Sequence, residues 1–198
     1  MVPIKYNVRN LFVRRTTTLA TALGIGLVVF VLAATLMLTA GLERTLTTSG
    51  SPDTAIVMRK GSDAELSSGL GDDAVRLIKA APGVKTTGEG QPLAIGEVVT
   101  VLYQTLTNGK GKSNILLRGV PPEVRDFRKE VTIVAGRWPK ANTNEAMIGA
   151  RVRGRFENSD IGGKPELRKG RNVEIVGVFE AGGSSFESEL WADIETVR

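Results

Sequence analysis

The sequence predicts an α+β protein in which one N-terminal transmembrane helix is followed by a strand-rich extracytoplasmic domain with few helices. Residues 16–42 contain no charged side chain. After that run the spacing between apolar residues becomes shorter, and no second long apolar segment follows before Arg198. The chain has 198 residues, which leaves room for one exported domain of ordinary size. We therefore expect a cytoplasmic amphipathic elbow at 1–18, a transmembrane helix at 19–42 and an extracytoplasmic domain at 43–198.

The apolar run from Leu19 to Leu42 has the length of a membrane span. As a helix, these residues extend roughly 36 Å, and a bilayer core is about 30 Å thick. Four basic residues precede the run, whereas Arg44 is the only basic residue close behind it. Because positive flanks stay in the cytoplasm, we expect a cytoplasmic N-terminus and a plasma (inner) membrane location for the chain.

A cleaved signal peptide is the alternative interpretation of this N-terminus. Signal peptides also begin with basic residues, but their apolar region normally spans about 7 to 15 residues, and this run is longer. The pair Arg14-Arg15 is also found in twin-arginine signals, although threonines follow here where such signals have a bulky apolar residue. Both features favour a retained membrane helix.

The residues before the span form an amphipathic pattern. Apolar side chains fall at helical spacing and basic side chains occupy the opposite face, as in helices that lie on a membrane surface. We expect this segment to contact lipid on the cytoplasmic leaflet. The predicted elbow residues are Ile4, Lys5, Val8, Arg9, Leu11, Phe12, Arg14 and Arg15.

Small residues recur every four positions inside the span. Such ladders allow two transmembrane helices to approach closely, although small residues are common in any membrane helix. We predict contact with other permease helices or with a second copy of the chain. The candidate contact residues are Thr18, Ala20, Ala22, Gly24 and Gly26.

The residues after the span alternate between short strand-like segments and turns. Thr54 to Met58 is rich in strand formers, and the polar residues 59–71 suggest a mobile loop. A helix is expected from an N-cap at Asp72 to Pro82, with an apolar stripe that packs on a sheet. The other predicted strands are 97–106, 114–120, 131–135, 146–148 and 173–179, with a hairpin turn at 108–112.

Charge and composition exclude several classes of function. After Leu42 there are 22 basic and 21 acidic residues, so we expect no general nucleic-acid surface. The chain has no Cys and no His, which excludes the usual zinc sites, thiolate catalysis and histidine-based triads built from this chain. We therefore expect no catalytic residue, no metal site and no cofactor.

Three motifs that suggest chemistry have simpler explanations. Gly111-Lys112-Ser113 ends like a phosphate-binding loop but lacks the upstream glycine and the following helix. Gly182 to Ser185 lacks the pattern around a serine nucleophile and is expected to be a loop. Asp72 and Asp73 suit helix capping, and Trp138 and Trp191 are expected to pack against the core.

The order of these features resembles the ABC transporter permeases of the MacB-like, lipoprotein-releasing and FtsX-like type. The resemblance runs from about Pro3 to Asp193. It rests on the segments IKYNVRNLFVRRTTTLATALGIGL, APGVK, NILLRGVPPE, AGRWPKANTNEAMIG and VEIVGVFEAGGSSFESELWAD. The resemblance implies a permease subunit that pairs with a cytoplasmic ATPase, and the ATP site would lie on that partner.

One difference from the family bears on this expectation. Such permeases normally continue into three further transmembrane helices, whereas this sequence stops at Arg198. We therefore expect either the N-terminal part of a longer or interrupted permease, or a short homologue that joins other subunits. The alternative function is a single-pass, membrane-anchored binding or adaptor module that is independent of an ATPase. An anchored enzyme is the third alternative, and the missing catalytic groups argue against it.

Overall fold

The structure is a computed structural model that describes residues 4–48 and 53–198. Contacts divide the chain into two compact units, Met1–Thr47 and Thr48–Arg198. The first unit contains helices α1 (Ile4–Val13) and α2 (Arg15–Thr48). By length and composition, Arg15–Glu43 is the one stretch of the described residues that could cross a membrane, and an N-terminal signal sequence meets the same criteria.

Three threonines of α2 form hydrogen bonds within the helix. Thr21, Thr35 and Thr39 each donate a hydrogen bond from the hydroxyl to the carbonyl four residues earlier, at 2.8 to 3.0 Å. A hydroxyl in hydrocarbon has no water to bond, so this local pairing lowers the cost of carrying threonine through a bilayer.

The second unit is a mixed sheet with short helices around it, which confirms the predicted α+β fold. The six-stranded sheet has the order β1-β2-β8-β4-β7-β3, and β5 and β6 form a separate hairpin. The strands are β1 (Val98–Thr105), β2 (Lys112–Val120), β3 (Thr132–Gly136), β4 (Glu145–Gly149), β5 (Glu166–Arg168), β6 (Arg171–Asn172), β7 (Glu174–Glu180) and β8 (Glu189–Asp193). The helices are α3 (Asp72–Lys79), α4 (Val124–Phe127) and α5 (Ile194–Val197).

The sheet buries both of its faces. Leu190 and Ala192 of β8 belong to one core cluster, with Leu117, Ile148 and other residues. Trp191, between them in sequence, belongs to the cluster on the other face. The pairs β2–β8 and β4–β7 are parallel and the other pairs in this sheet are antiparallel. Strand β8 therefore joins two halves of the sheet and is buried along its whole length.

Five of the predicted strands are present, but the prediction of a strand at Thr54 to Met58 is wrong. Residues 54–59 form no ladder with any described strand, and Ile56 is 64% exposed. Strand-forming residues are not sufficient where no neighbouring strand is available for pairing. The segment has no regular secondary structure, and the side chains of Ile56 and Val57 are exposed.

The helix expected after position 71 is present as α3, but two details of the prediction are wrong. Gly71, not Asp72, is the N-cap residue, and no side chain caps the helix. The predicted stripe does not pack on the sheet: α3 buries no residue, and Leu77 is 74% exposed. Val75 is the residue of this helix that lies close to Gly96.

Candidate functional site

A network of buried charges lies on the face of the sheet that contains Trp191. Its members come from five separate parts of the second unit, including two strands of the sheet, the segment before β1 and a 3-10 turn at Glu65–Ser67. These members are Glu65, Glu97, Arg118, Arg128 and Glu189. The two arginines and three glutamates give this network a formal charge of −1.

Arg118 of β2 is the centre of the network. Its Nε and Nη2 donate to both carboxylate oxygens of Glu189, at 2.7 and 2.9 Å. Its Nη1 donates to Glu97 at 2.7 Å, and Nη2 also reaches Glu65 at 3.0 Å. Burial alone would lower the pKa of Arg118, but the hydrogen bond and the negative charge of Glu189, together with the two other carboxylates, raise it above its ordinary value. The guanidinium therefore stays charged although its side chain is 4% exposed.

Aromatic rings complete the surroundings of Arg118. The indole Nε1 of Trp191 donates to Glu189 at 2.8 Å. The ring of Phe186 lies 5.1 Å from the Arg118 guanidinium and 4.3 Å from that of Arg128. These cation–π contacts and the hydrogen bonds hold both arginines in one arrangement.

Arg128 anchors the outer part of the network. Its guanidinium donates to both carboxylate oxygens of Glu97, at 3.0 to 3.1 Å. Glu97 thereby bridges Arg128 and Arg118. This one carboxylate therefore connects the chain entering β1 and the residue after α4 with the C-terminal part of β2.

The network forms part of the wall of an open groove of about 970 Å³. The exposed segment 54–58, helix α3 and the first residues of β1 form other parts of this wall. Its apolar lining includes Ile56, Val57, Leu70 and Ile78. The groove thus combines an apolar surface with a rim of fixed charges.

A smaller cavity of about 180 Å³ lies on the same face of the sheet, beside Trp138. The guanidinium of Arg125 is 5.1 Å from the Trp138 ring and donates to the carbonyl of Pro139 at 3.3 Å. Trp138 packs against the core from a half-buried position, whereas Trp191 is fully buried. Both tryptophans therefore pack as expected.

Two observations in the described part of the second unit bear on catalytic chemistry. No group of three or more acidic side chains is placed to hold a metal ion among the described residues. Ser184 has a buried hydroxyl without a hydrogen-bond partner, but the carboxylate in its loop, Glu187, is occupied by Ala181 N, Gly183 N and Arg151. Burial would raise the pKa of Glu187, yet these partners lower it, so Glu187 is held as a carboxylate.

The residues predicted for membrane and helix contacts lie in the first unit. The side chains of Ile4 and Lys5 are outside the described part of the chain. Val8, Leu11 and Phe12 are exposed on α1, and Arg15 donates to the Phe12 carbonyl at 3.2 Å. Thr18 donates to the Leu11 carbonyl at 3.1 Å, whereas Gly24 and Gly26 have open space around them. Their roles remain predictions.

The charge network was not predicted from the sequence. Arg118 and Glu189 are 71 positions apart, so no local spacing connects them. A signal is nevertheless present, because Arg118 interrupts the apolar strand ILLRGV and Glu189 stands beside Leu190 and Trp191. A charge inside a buried strand requires a partner of opposite charge.

Comparison with known families identifies the chain. A model of the MacB-like periplasmic core domain matches residues 16–198. The chain belongs to this family. The match confirms the resemblance found in the sequence and covers most of α2 and all of the second unit.

Solved structures offer a weaker likeness to this MacB-like domain. The extracellular domain of YknZ, a noncanonic ABC-type transporter from Gram-positive bacteria, is 17% identical with a TM-score of 0.46, covering 64% of this chain and 63% of that one. A domain of a protein described as a permease, from Porphyromonas gingivalis, is 22% identical with a TM-score of 0.38, covering 61% and 55%. The chain thus spans less than two thirds of either structure. A search of curated proteins found no match.

Proposed function

We propose that this chain is a permease subunit of an ABC transporter, or the N-terminal part of one. It couples a cytoplasmic partner ATPase to substrate export or envelope remodelling outside the cytoplasm. The observation that carries this proposal is the family match over residues 16–198, which includes the apolar helix as well as the domain behind it.

The proposed arrangement has three parts. Residues 1–18 form a cytoplasmic elbow against lipid, residues 19–42 cross the membrane, and residues 43–198 are extracytoplasmic. ATP hydrolysis belongs to the partner, and this chain has no catalytic role. The small-residue ladders of the span contact other permease helices or a second permease copy, and nucleic acid is not a partner.

The charge network supports a mechanical role for the exported domain. Glu65 lies in the segment between the span and the sheet, and its ion pair with Arg118 ties that segment to β2. Within the second unit, a displacement of this segment is then passed to the sheet through a partly buried contact. Closure of the ATPase in the cytoplasm would in this way move the extracytoplasmic domain.

Co-purification tests the proposal directly. The tagged chain is expressed in its own cells, solubilised in mild detergent and isolated, and we expect an ABC ATPase with it in near-stoichiometric amount. Gly26→Leu should reduce the ATPase recovered, because a large side chain keeps neighbouring helices apart. Val29→Leu is the matched control and should retain it.

Isolation of the chain as a monomer without an ATPase would contradict the proposal. That outcome would favour the single-pass binding or adaptor module. The open groove, with its apolar lining and charged rim, is the observation that favours this second candidate.

A further inference from the structure

Basic side chains are concentrated in two segments of the second unit that hydrogen bonds bring together. The turn between β1 and β2 with the first residue of β2 (106–112) and the segment 151–172 together hold nine Lys or Arg and three Asp or Glu, a formal charge of +6. The other residues of 53–198 hold twelve basic and seventeen acidic residues, a charge of −5. A domain that is nearly neutral on average is therefore strongly polarised. We call residues 106–112 and 151–172 the basic cap.

Hydrogen bonds join the parts of the basic cap. Thr107 donates from its backbone N to the Arg155 carbonyl at 3.1 Å and from its hydroxyl to the Gly154 carbonyl at 2.9 Å. Gln104 of β1 donates to the Glu166 carbonyl at 2.6 Å. The Thr107 bonds therefore place the two segments of the cap side by side, and the Gln104 bond ties the second segment to β1.

The cap is also fixed to the core beneath it. Val152 and Phe156 are buried in the core cluster that contains Leu190, and Leu106 and Leu167 pack against it. Ser159 accepts a hydrogen bond from the backbone N of Phe156 at 3.0 Å and donates to the Phe156 carbonyl at 2.6 Å. The segments that carry the basic side chains are thus anchored to the core.

Most of the cationic groups in the cap form no ion pair. Within the described residues, six of the nine form no ion pair: Lys110, Lys112, Arg155, Arg168, Lys169 and Arg171. Two of the acidic groups already have partners inside the cap. Asp160 accepts from Arg153 at 2.9 Å, and Glu166 accepts from the backbone N of Gly170 at 2.7 Å.

We propose that the basic cap docks an acidic surface of an extracytoplasmic partner protein. Five of its nine cations are arginines, whose planar guanidinium pairs with carboxylates through two hydrogen bonds and is enriched in protein interfaces. Arg153 is held by Asp160, and Arg155 lies 5.6 Å from the Phe156 ring, so both are held near one orientation. A fixed pattern of this kind suits fixed carboxylates better than mobile lipid headgroups. The inference rests on the proposed function, in which the exported domain moves against a partner.

The test uses the full chain in phosphatidylcholine nanodiscs and a fluorescein-labelled peptide of ten glutamates as the probe. We expect binding that weakens as salt rises, since exposed charges are screened. The cap variant Lys110→Glu/Arg168→Glu/Lys169→Glu should lose affinity by about tenfold or more. The control variant Lys60→Glu/Lys129→Glu/Lys140→Glu has the same net charge and should lose about threefold or less, because these exposed lysines lie outside the cap.

Three outcomes would overturn the proposal. Equal losses of affinity in the two variants would show only an effect of net charge. If the wild-type chain did not bind the peptide, the basic cap would not be a docking surface for acidic groups. The third outcome uses nanodiscs that contain about one third phosphatidylglycerol, at a salt concentration that screens charges more than about 8 Å apart. Loss of peptide binding under these conditions would assign the cap to lipid headgroups. ATPase recovery is a separate readout, so its failure rejects the proposed function without deciding the peptide result.

Discussion

Arg118 shows how a single charged residue can organise a buried face of the sheet. Its three carboxylate partners come from 53, 21 and 71 positions away, so the pairing exists only in the folded chain. Removing charges from water is costly, and a buried pair is tolerated only when its hydrogen bonds are satisfied. Arg118 meets this requirement with bonds from Nε, Nη1 and Nη2.

Replacement of Arg118 should therefore be severe. We expect Arg118→Met to lower the free energy of unfolding by about 3–5 kcal/mol, because Glu189 and Glu97 are left buried without a cation. Urea denaturation followed by tryptophan fluorescence measures the loss, since Trp138 and Trp191 both belong to the exported unit. Arg153→Met is the control, because it removes an exposed, solvent-screened ion pair and should cost much less than Arg118→Met. Similar losses in the two variants would contradict the role of Arg118.

Acid stability should depend on a second ion pair. The hydrogen bonds from Arg137 lower the pKa of Glu145 from 4.5 to about 2. The stabilisation is complete above the unfolded pKa of 4.5 and is lost as the pH falls towards 2. We expect Glu145→Gln to reduce the difference in unfolding free energy between pH 6 and pH 3. Arg137→Met should reduce it too, and an unchanged difference in both variants would refute the assignment.

At the residue scale, the sequence predicts the packing of Trp191 but not the identity of its neighbours. A large aromatic side chain in an apolar segment is expected to be buried whatever the topology. Glu189, two positions earlier, gives no comparable sign of its partner, because that partner is set by the pairing of β2 with β8.

At the scale of elements, local pattern predicts strands that pair with nearby strands. β1 and β2 form a hairpin whose turn contains Gly109 and Gly111, and both glycines have positive φ. Strand β8 was missed, because it has five residues and acidic groups at both ends. Its burial arises from neighbours on both sides, β2 and β4, which sequence periodicity does not show.

The segment 59–71 is fixed by contacts that the polar sequence does not reveal. Arg59 N donates to the Ser68 hydroxyl at 2.9 Å, and Glu65 reaches Arg118 at 3.0 Å. The expectation of a mobile loop did not include these contacts, and the mobility of the segment stays a prediction. Their partners place a 3-10 turn against the sheet.

Loss of the Glu65 contact should loosen this segment selectively. We expect Glu65→Gln to speed amide hydrogen exchange in residues 59–71 by about fivefold, because a partly buried ion pair contributes about 1 kcal/mol. Exchange in β8 should remain slow. Asp63→Asn, an exposed change in the same segment, is the control. Equal exchange in wild type and Glu65→Gln would show that Glu65 does not hold the segment.

At the scale of the whole molecule, the overall charge balance does not show how the fold separates basic from acidic residues. Almost equal numbers of acidic and basic residues suggested a neutral exported domain, but the fold collects basic side chains into the basic cap. The two segments of the cap are brought together by the packing of Leu106 and Phe156, which form an isolated bridge. Charge counts along the sequence cannot show this, because the cap is assembled from distant segments.

The central claim is that α2 holds the exported unit outside the cytoplasm, and labelling of single cysteines in intact cells tests it most directly. The natural chain has no cysteine, so Asn10→Cys and Ser62→Cys each provide one defined site. A membrane-impermeant maleimide should label Ser62→Cys in whole cells, and Asn10→Cys only after the cells are opened. The reverse pattern would contradict the orientation, and absence of the Asn10→Cys site from the mature chain would show that the helix is a cleaved signal.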